Sequence, residues 1–324
     1  MSKSAAAEVL REAEQAGSDA AHEAHAEVLE RAAAEARSKR PGALIEGEAA
    51  EVGPATNDNA KAKSKSKGKA KANDRYARFN VDVWITDLNA TEFGIYKHTR
   101  NKAKSRQFTS DMDIFAEIIE DGERTGLIGY REDLWKKNTG FDKRLVFKLF
   151  GENLNWRATM DLMLGRSVEK TVGARGLPVV SYSVNTNDHD QIVYVERSAN
   201  KWPLMPEHFS FFLMDEGRLK FYRLKKDIIA LGQDYSVYDG TGHKIGVLDG
   251  KLLTIGGFWK CKIRKEHADK RLLTVLKLFV GMLSFNKACR KHVSKLSDAI
   301  VAGRTVPKIE KQEADLYMNP RRVR

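Results

Sequence analysis

RLLTVLKLFVGMLSFNKACRKHV, residues 271–293, decides the fold. Leu272, Leu273, Val275, Leu276, Leu278, Phe279, Val280, Met282, Leu283 and Phe285 leave only Thr274, Lys277, Gly281 and Ser284 as breaks in its first half. A helix that is apolar on every side must be enclosed. Past Phe285 the character changes: Lys287, Arg290, Lys291 and Lys295 surround a thin apolar seam of Cys289, Val293 and Leu296. That half is expected to emerge into water. A membrane span needs roughly 20 predominantly apolar residues, whereas this run is shorter and carries Lys277. The stretch therefore predicts a helix over 268–298 that serves as a core and spans no membrane. If it is enclosed, Lys277 must snorkel to an edge or meet a carboxylate.

The residues available to enclose it read as strands. RFNVDVWITD alternates Phe79, Val81, Val83 and Ile85, the period of a half-buried strand, and FGIYKH (93–98) is a weaker candidate. GLIGYR (126–131) and KRLVFKLF (143–150) follow. VVSYSV and IVYVER flank the polar turn NTNDHDQ, and FSFFLM and LKFYRL flank DEGR. Two helices interrupt the strands. TSDMDIFAEIIEDG (109–122) offers Ser110 as cap, Asp113 reaching back, and Ile114, Phe115, Ile118 and Ile119 at helical spacing before Gly122. NWRATMDLML (155–164) reads as a second, ending at Gly165. From Asp227 a repeat appears: DIIALGQDYSV and KLLTIGGFWKC align at an offset of 24, with the hairpin YDGTGHKIGVLDG between them turning on Asp239, Gly240 and Gly242. The fold class is α+β, mainly antiparallel β, as a large sheet or barrel around the C-terminal helix.

Residues 1–40 are rich in Ala, Glu and Arg with few large apolar side chains, which gives helix propensity without an anchor. Residues 41–75 have linker composition and are expected to be disordered. The linker ends in KAKSKSKGKAKAND, with Lys61, Lys63, Lys65, Lys67, Lys69 and Lys71 at alternate positions. Residues 76–300 form the folded domain, and 301–324 a basic tail ending in Arg321, Arg322 and Arg324. The net charge of +12 suits an anionic partner, and alternating lysines suit diffuse contact with lipid or nucleic-acid phosphates. Two cysteines without paired spacing indicate neither a disulfide framework nor a zinc site. The N-terminus lacks the pattern of a secretory signal, so a cytoplasmic location, peripheral at the membrane if lipid is bound, is expected.

No motif for catalysis or a cofactor stands out. Gly240, Gly242 and Gly246 approach a dinucleotide fingerprint, but the spacing is one residue too long and a strand follows them. His22 and His25, one turn apart, lack supporting ligands. Asp111 and Asp113 form a D-x-D that helix capping explains. His189, between Asp188 and Asp190 in a hairpin turn, is expected in solvent. The remaining candidates are anion-binding: Lys61 to Lys71, then Lys102, Lys104 and Arg106 beside Arg100, and finally Lys287, Arg290, Lys291 and Lys295, of which 287, 290 and 291 share a helical face.

DYSVYDGTGHKIGVLDGKLLTIGGFWKCKI, followed by an apolar helix, resembles the tubby-like superfamily, in particular its LURP-one-related and phospholipid-scramblase-like branch. The resemblance spans about residues 219–286. It implies a closed antiparallel barrel of about twelve strands wrapped around one hydrophobic helix, here with helices inserted near Ser110 and Asn155. Because members of that superfamily bind phosphoinositides or act at membranes, it also implies a non-enzymatic module for anionic surfaces, with phospholipid head groups first. A nucleic-acid-binding accessory protein using the lysine arm and basic helix end is the alternative. A scaffold recruiting a protein partner through the N-terminal segment is a third.

Overall fold

Apolar residues at every second position make strands whose inner faces meet one helix. The computed structural model describes residues 75–83, 112–199, 205–215, 217–227, 234–251 and 257–319. In chain order these give β1 (Tyr76–Val83), β2 (Met112–Glu120), β3 (Glu123–Arg131), β4 (Val146–Gly151) and β5 (Trp156–Leu162), then helix α1 (Leu164–Gly173). Next come β6 (Ser181–Thr186), β7 (Val193–Arg197), β8 (His208–Asp215), β9 (Arg218–Lys226), β10 (Tyr235–Asp239), β11 (Lys244–Lys251) and β12 (Phe258–Arg264). Helices α2 (Lys270–Val301) and α3 (Lys311–Met318) complete the chain. Each strand pairs antiparallel with its sequence neighbours, and β1 also pairs with β12, Tyr76 opposite Arg264 and Val81 opposite Trp259. The ring is therefore closed and leaves no sheet edge. Its shortest seam joins β7 to β8 through Glu196 with Ser210 and Arg197 with Phe209.

The interior is packed solid around α2. Leu272, Val275, Leu276, Leu278, Phe279, Val280 and Met282 are all 0% exposed. They meet inward residues such as Val81, Ile128, Phe147, Met160, Val184, Val195, Phe209, Leu224, Leu248 and Ile263 in one continuous core. Phe279 packs edge-on against Phe209 at 4.9 Å and Tyr235 at 5.4 Å. Phe285 does the same against Phe115 at 5.4 Å and Phe147 at 5.2 Å. Gly281 admits this packing, because a Cβ there would lie 3.3 Å from Ile128 Cδ1 and 3.4 Å from Phe115 Cζ. Although α2 is long and apolar enough to cross a membrane, it is enclosed by the barrel. Asp269 caps its start, Oδ1 accepting from the Arg271 amide at 2.8 Å.

Two sequence expectations are corrected. Residues 112–120, expected as a helix, are strand β2. Register shifts between Ile114 and Ala116 and between Ile118 and Ile119 mark bulges. Before the first bulge Met112 and Ile114 join a separate apolar cluster with Leu127, Phe150 and Leu154; beyond it Phe115, Ala116 and Ile118 join the main core. Burial on both sides of a bulged strand imitates helical spacing. Ser110 and Asp111 lie outside the described residues. The second expected helix is also a strand: Ala158, Met160 and Leu162 are buried, while Arg157 is exposed and Thr159 and Asp161 are half-buried. The helix begins where it was expected to end, at Leu164. Gly240 and Gly242 belong to the β10–β11 turn, and Gly246 lies in β11. A Cβ at Gly246 would come 2.6 Å from Lys262 O, so β11 and β12 require a glycine there. The first halves of both repeat units, 228–233 and 252–256, lie outside the described residues.

Candidate functional site

The exposed half of α2 carries the cations that the sequence singles out. Lys287, Lys291 and Lys295 are exposed and, spaced by four, form one stripe along the helix. None of the three has an ion-pair partner among the described residues. On the opposite face Cys289, Val293 and Leu296 are buried in the cluster that contains Leu164 and Val168 of α1. Arg290 stands apart from the lysines: it is half-buried, and its Nε is enclosed without a hydrogen-bond partner among the described residues. Lys61, Lys63, Lys65, Lys67, Lys69, Lys71, Lys102, Lys104 and Arg106 lie outside the described residues, as do His22 and His25.

A buried charge network holds α2 at this end. Arg197 and Glu207 form an ion pair with side chains only 7% and 12% exposed. Glu207 also accepts from Tyr235 Oη at 2.7 Å and from Asn286 Nδ2 at 3.0 Å, while Arg197 donates to Pro178 O at 2.7 Å. Burial pushes the Glu207 carboxyl up, but the guanidinium, hydroxyl and amide outweigh it and hold it below its ordinary range. These groups fix the depth and rotation of α2 through Asn286.

At the other mouth, where α2 begins, Lys277 meets the carboxylate its position demands. Its Nζ lies 2.6 Å from Glu120 Oε1 and 5.5 Å from the Phe79 ring centre. Lys270 pairs with Asp188 at 2.5 Å across the rim, and that hydrogen bond holds the Asp188 carboxyl below its usual value. These pairs border a cavity of about 390 Å³ whose wall also includes Arg157, Asn187, His189 and Arg271. His189 is half-buried against this cavity, not fully in solvent as its turn position suggested.

A third feature, a groove of about 850 Å³, runs outside the barrel between β4–β6 and α3. The predicted basic tail thus contributes a helix of its own. Glu313 of α3 accepts from the amides of Gly165 at 3.1 Å and Arg166 at 2.7 Å, the first turn of α1. Arg144 pairs with Asp161 inside the groove and with Glu310 at 3.2 Å. Burial pushes the Asp161 carboxyl up to about 6 despite that guanidinium. Burial likewise raises Glu313, against the pull of the two amides.

No group of three or more metal-ligating side chains occurs among the described residues, and Cys261 and Cys289 are both free and buried. Burial pushes the Cys289 thiol up to about 12, which suppresses the thiolate a nucleophile needs. Comparison of the chain with protein-family models, curated proteins and solved structures finds no match, so the barrel, its enclosed helix and their charged ends carry the functional reading.

Proposed function

We propose that this protein is a non-catalytic binding module for anionic surfaces and that its ligands are phospholipid head groups. The observation that carries the reading is the stripe of Lys287, Lys291 and Lys295, three exposed cations without an ion-pair partner among the described residues, projected from a helix whose other half is locked in the barrel. Side chains on so rigid a base retain a fixed spacing, and the interior is too well filled by α2 to take a ligand. The barrel with an enclosed helix is also the architecture that the resemblance to the tubby-like superfamily implies. Lysines near an anionic leaflet contribute about 1 kcal/mol each. Replacing all three by Ala should therefore weaken binding to anionic vesicles by about a hundredfold.

Sedimentation with neutral and with phosphatidylserine-containing vesicles at moderate salt tests the reading. Equal sedimentation with both would sink it. Steeply salt-dependent RNA or DNA binding without any vesicle preference would put the nucleic-acid alternative in its place.

A further inference from the structure

We infer that the mouth at which α2 enters the barrel is a separate binding pocket for a phosphomonoester, gripped by Arg271 and Arg157. The wall of the 390 Å³ cavity contains four permanent cations, Arg157, Lys270, Arg271 and Lys277, against two carboxylates, Glu120 and Asp188. Each lysine already has its carboxylate, Lys270 with Asp188 and Lys277 with Glu120. The two arginines have none among the described residues, and a surplus of two positive charges remains on the described wall.

Arg271 is the telling residue. It is only 7% exposed, yet its Nε is enclosed with no hydrogen-bond partner among the described residues. Asp215, whose carboxyl feels the Arg271 charge, is committed to Lys220 at 2.5 Å. Buried donors in folded proteins are almost always satisfied, so an unpartnered, buried Nε on an arginine that lines the cavity marks the place of an acceptor. At the start of α2, Asp269 already occupies the Arg271 amide. Recognition therefore falls to side chains.

Arg157 lines the cavity from β5. Gly151 leaves it room, since a Cβ there would lie 3.2 Å from Arg157 Nε. Two planar guanidiniums suit tetrahedral oxyanions that accept paired hydrogen bonds. A phosphomonoester carries about −1.5 to −2 charge at neutral pH, which matches the surplus, whereas a carboxylate matches half of it. The volume lies near the small end of ligand clefts, roughly 300–1,000 Å³, and so accommodates a phosphate with a compact organic group. The chemistry of the grip is the same whether the phosphate is free in solution or displayed on a lipid.

The test is calorimetric titration of the full chain with glycerol 3-phosphate, with acetate as the singly charged control. We expect binding of glycerol 3-phosphate and none of acetate, with Arg157→Ala and Arg271→Gln each weakening it by about tenfold or more. Arg157 is exposed and has no ion-pair partner among the described residues, so R157A stays informative even if R271Q folds poorly. Vesicles containing phosphatidic acid distinguish the sources: displacement of glycerol 3-phosphate assigns a lipid head group, and lack of displacement assigns a free phosphorylated metabolite. The triple replacement of Lys287, Lys291 and Lys295 should leave this titration unchanged, which separates the pocket from the lysine stripe. Absence of binding, equal binding of acetate, or an affinity unchanged in R157A would overturn the inference.

Discussion

Neighbouring positions on α2 offer a sharp test of what the barrel encloses. Leu276 is 0% exposed, while the Lys277 side chain is 16% exposed and paired with Glu120, itself 32% exposed. Leu276→Asp would forfeit about 1.5–3 kcal/mol of apolar burial. It would also bury a carboxylate within the apolar core, adding several kcal/mol. The sum is comparable with the whole stability of a typical domain, about 5–15 kcal/mol, so this variant should not be recovered as folded protein. Leu276→Ala should fold but lose about 2–5 kcal/mol. Lys277→Leu removes an ion pair near the rim, where such pairs contribute on the order of 1 kcal/mol. It leaves Glu120 within reach of water and places an aliphatic group beside Phe79, so its net effect should stay within about 1 kcal/mol. Urea denaturation followed by tryptophan fluorescence measures the two folded variants, and soluble yield reports on Leu276→Asp. Equal behaviour of Leu276→Asp and Lys277→Leu would refute an enclosed α2.

The outer groove supports two further tests. Because burial raises Asp161 from 3.8 to about 6, the folded chain holds a proton between about pH 4 and 6 that the unfolded chain has released, so this group makes stability fall as pH rises through that window. Asp161→Asn, with Arg144 still paired to Glu310, should flatten the pH dependence of the urea midpoint there by about 2–3 kcal/mol; an unaltered slope between wild type and variant would contradict the assignment. Glu313→Ala withdraws the carboxylate from the first turn of α1 and should raise amide exchange at Gly165 and Arg166 about tenfold, as for loss of a helix cap worth about 1 kcal/mol. Unchanged protection at both amides would show that α3 does not cap α1.

What could be read from the sequence follows from what is local. The α2 core was legible because the run from Leu272 to Phe285 has only four breaks, and an all-round apolar helix has few solutions in water. Hairpins such as β8–β9 and β10–β11 were legible from alternation around DEGR and Asp239–Gly240. Strand β2 was not, because a bulge at Phe115 turns the buried side over and disguises period two as period 3.6. The start of α1 was hidden for a related reason: the apolar run Leu162, Met163, Leu164 crosses from strand to helix without punctuation. The charged mouth lay beyond local reading altogether, since Arg157, Asp188 and Arg271 come from β5, the β6–β7 turn and α2. The same holds for Glu313, whose amide partner Gly165 is 148 residues away.

The pairing of β1 with β12 sets the order in which this chain can acquire its structure. Tyr76 waits for Arg264, and even with that seam zipped the ring would surround an empty space until residues 272–285 filled it. Eleven seams between consecutive strands can form as soon as their strands leave the ribosome, but none has an inner face to bury against until the last large helix of the chain arrives. Long closures of this kind are slow because their entropy must be overcome before their contacts form. The nascent strands therefore spend most of synthesis with their apolar sides uncovered, and the arrival of α2 converts them together from a string of hairpins into a barrel.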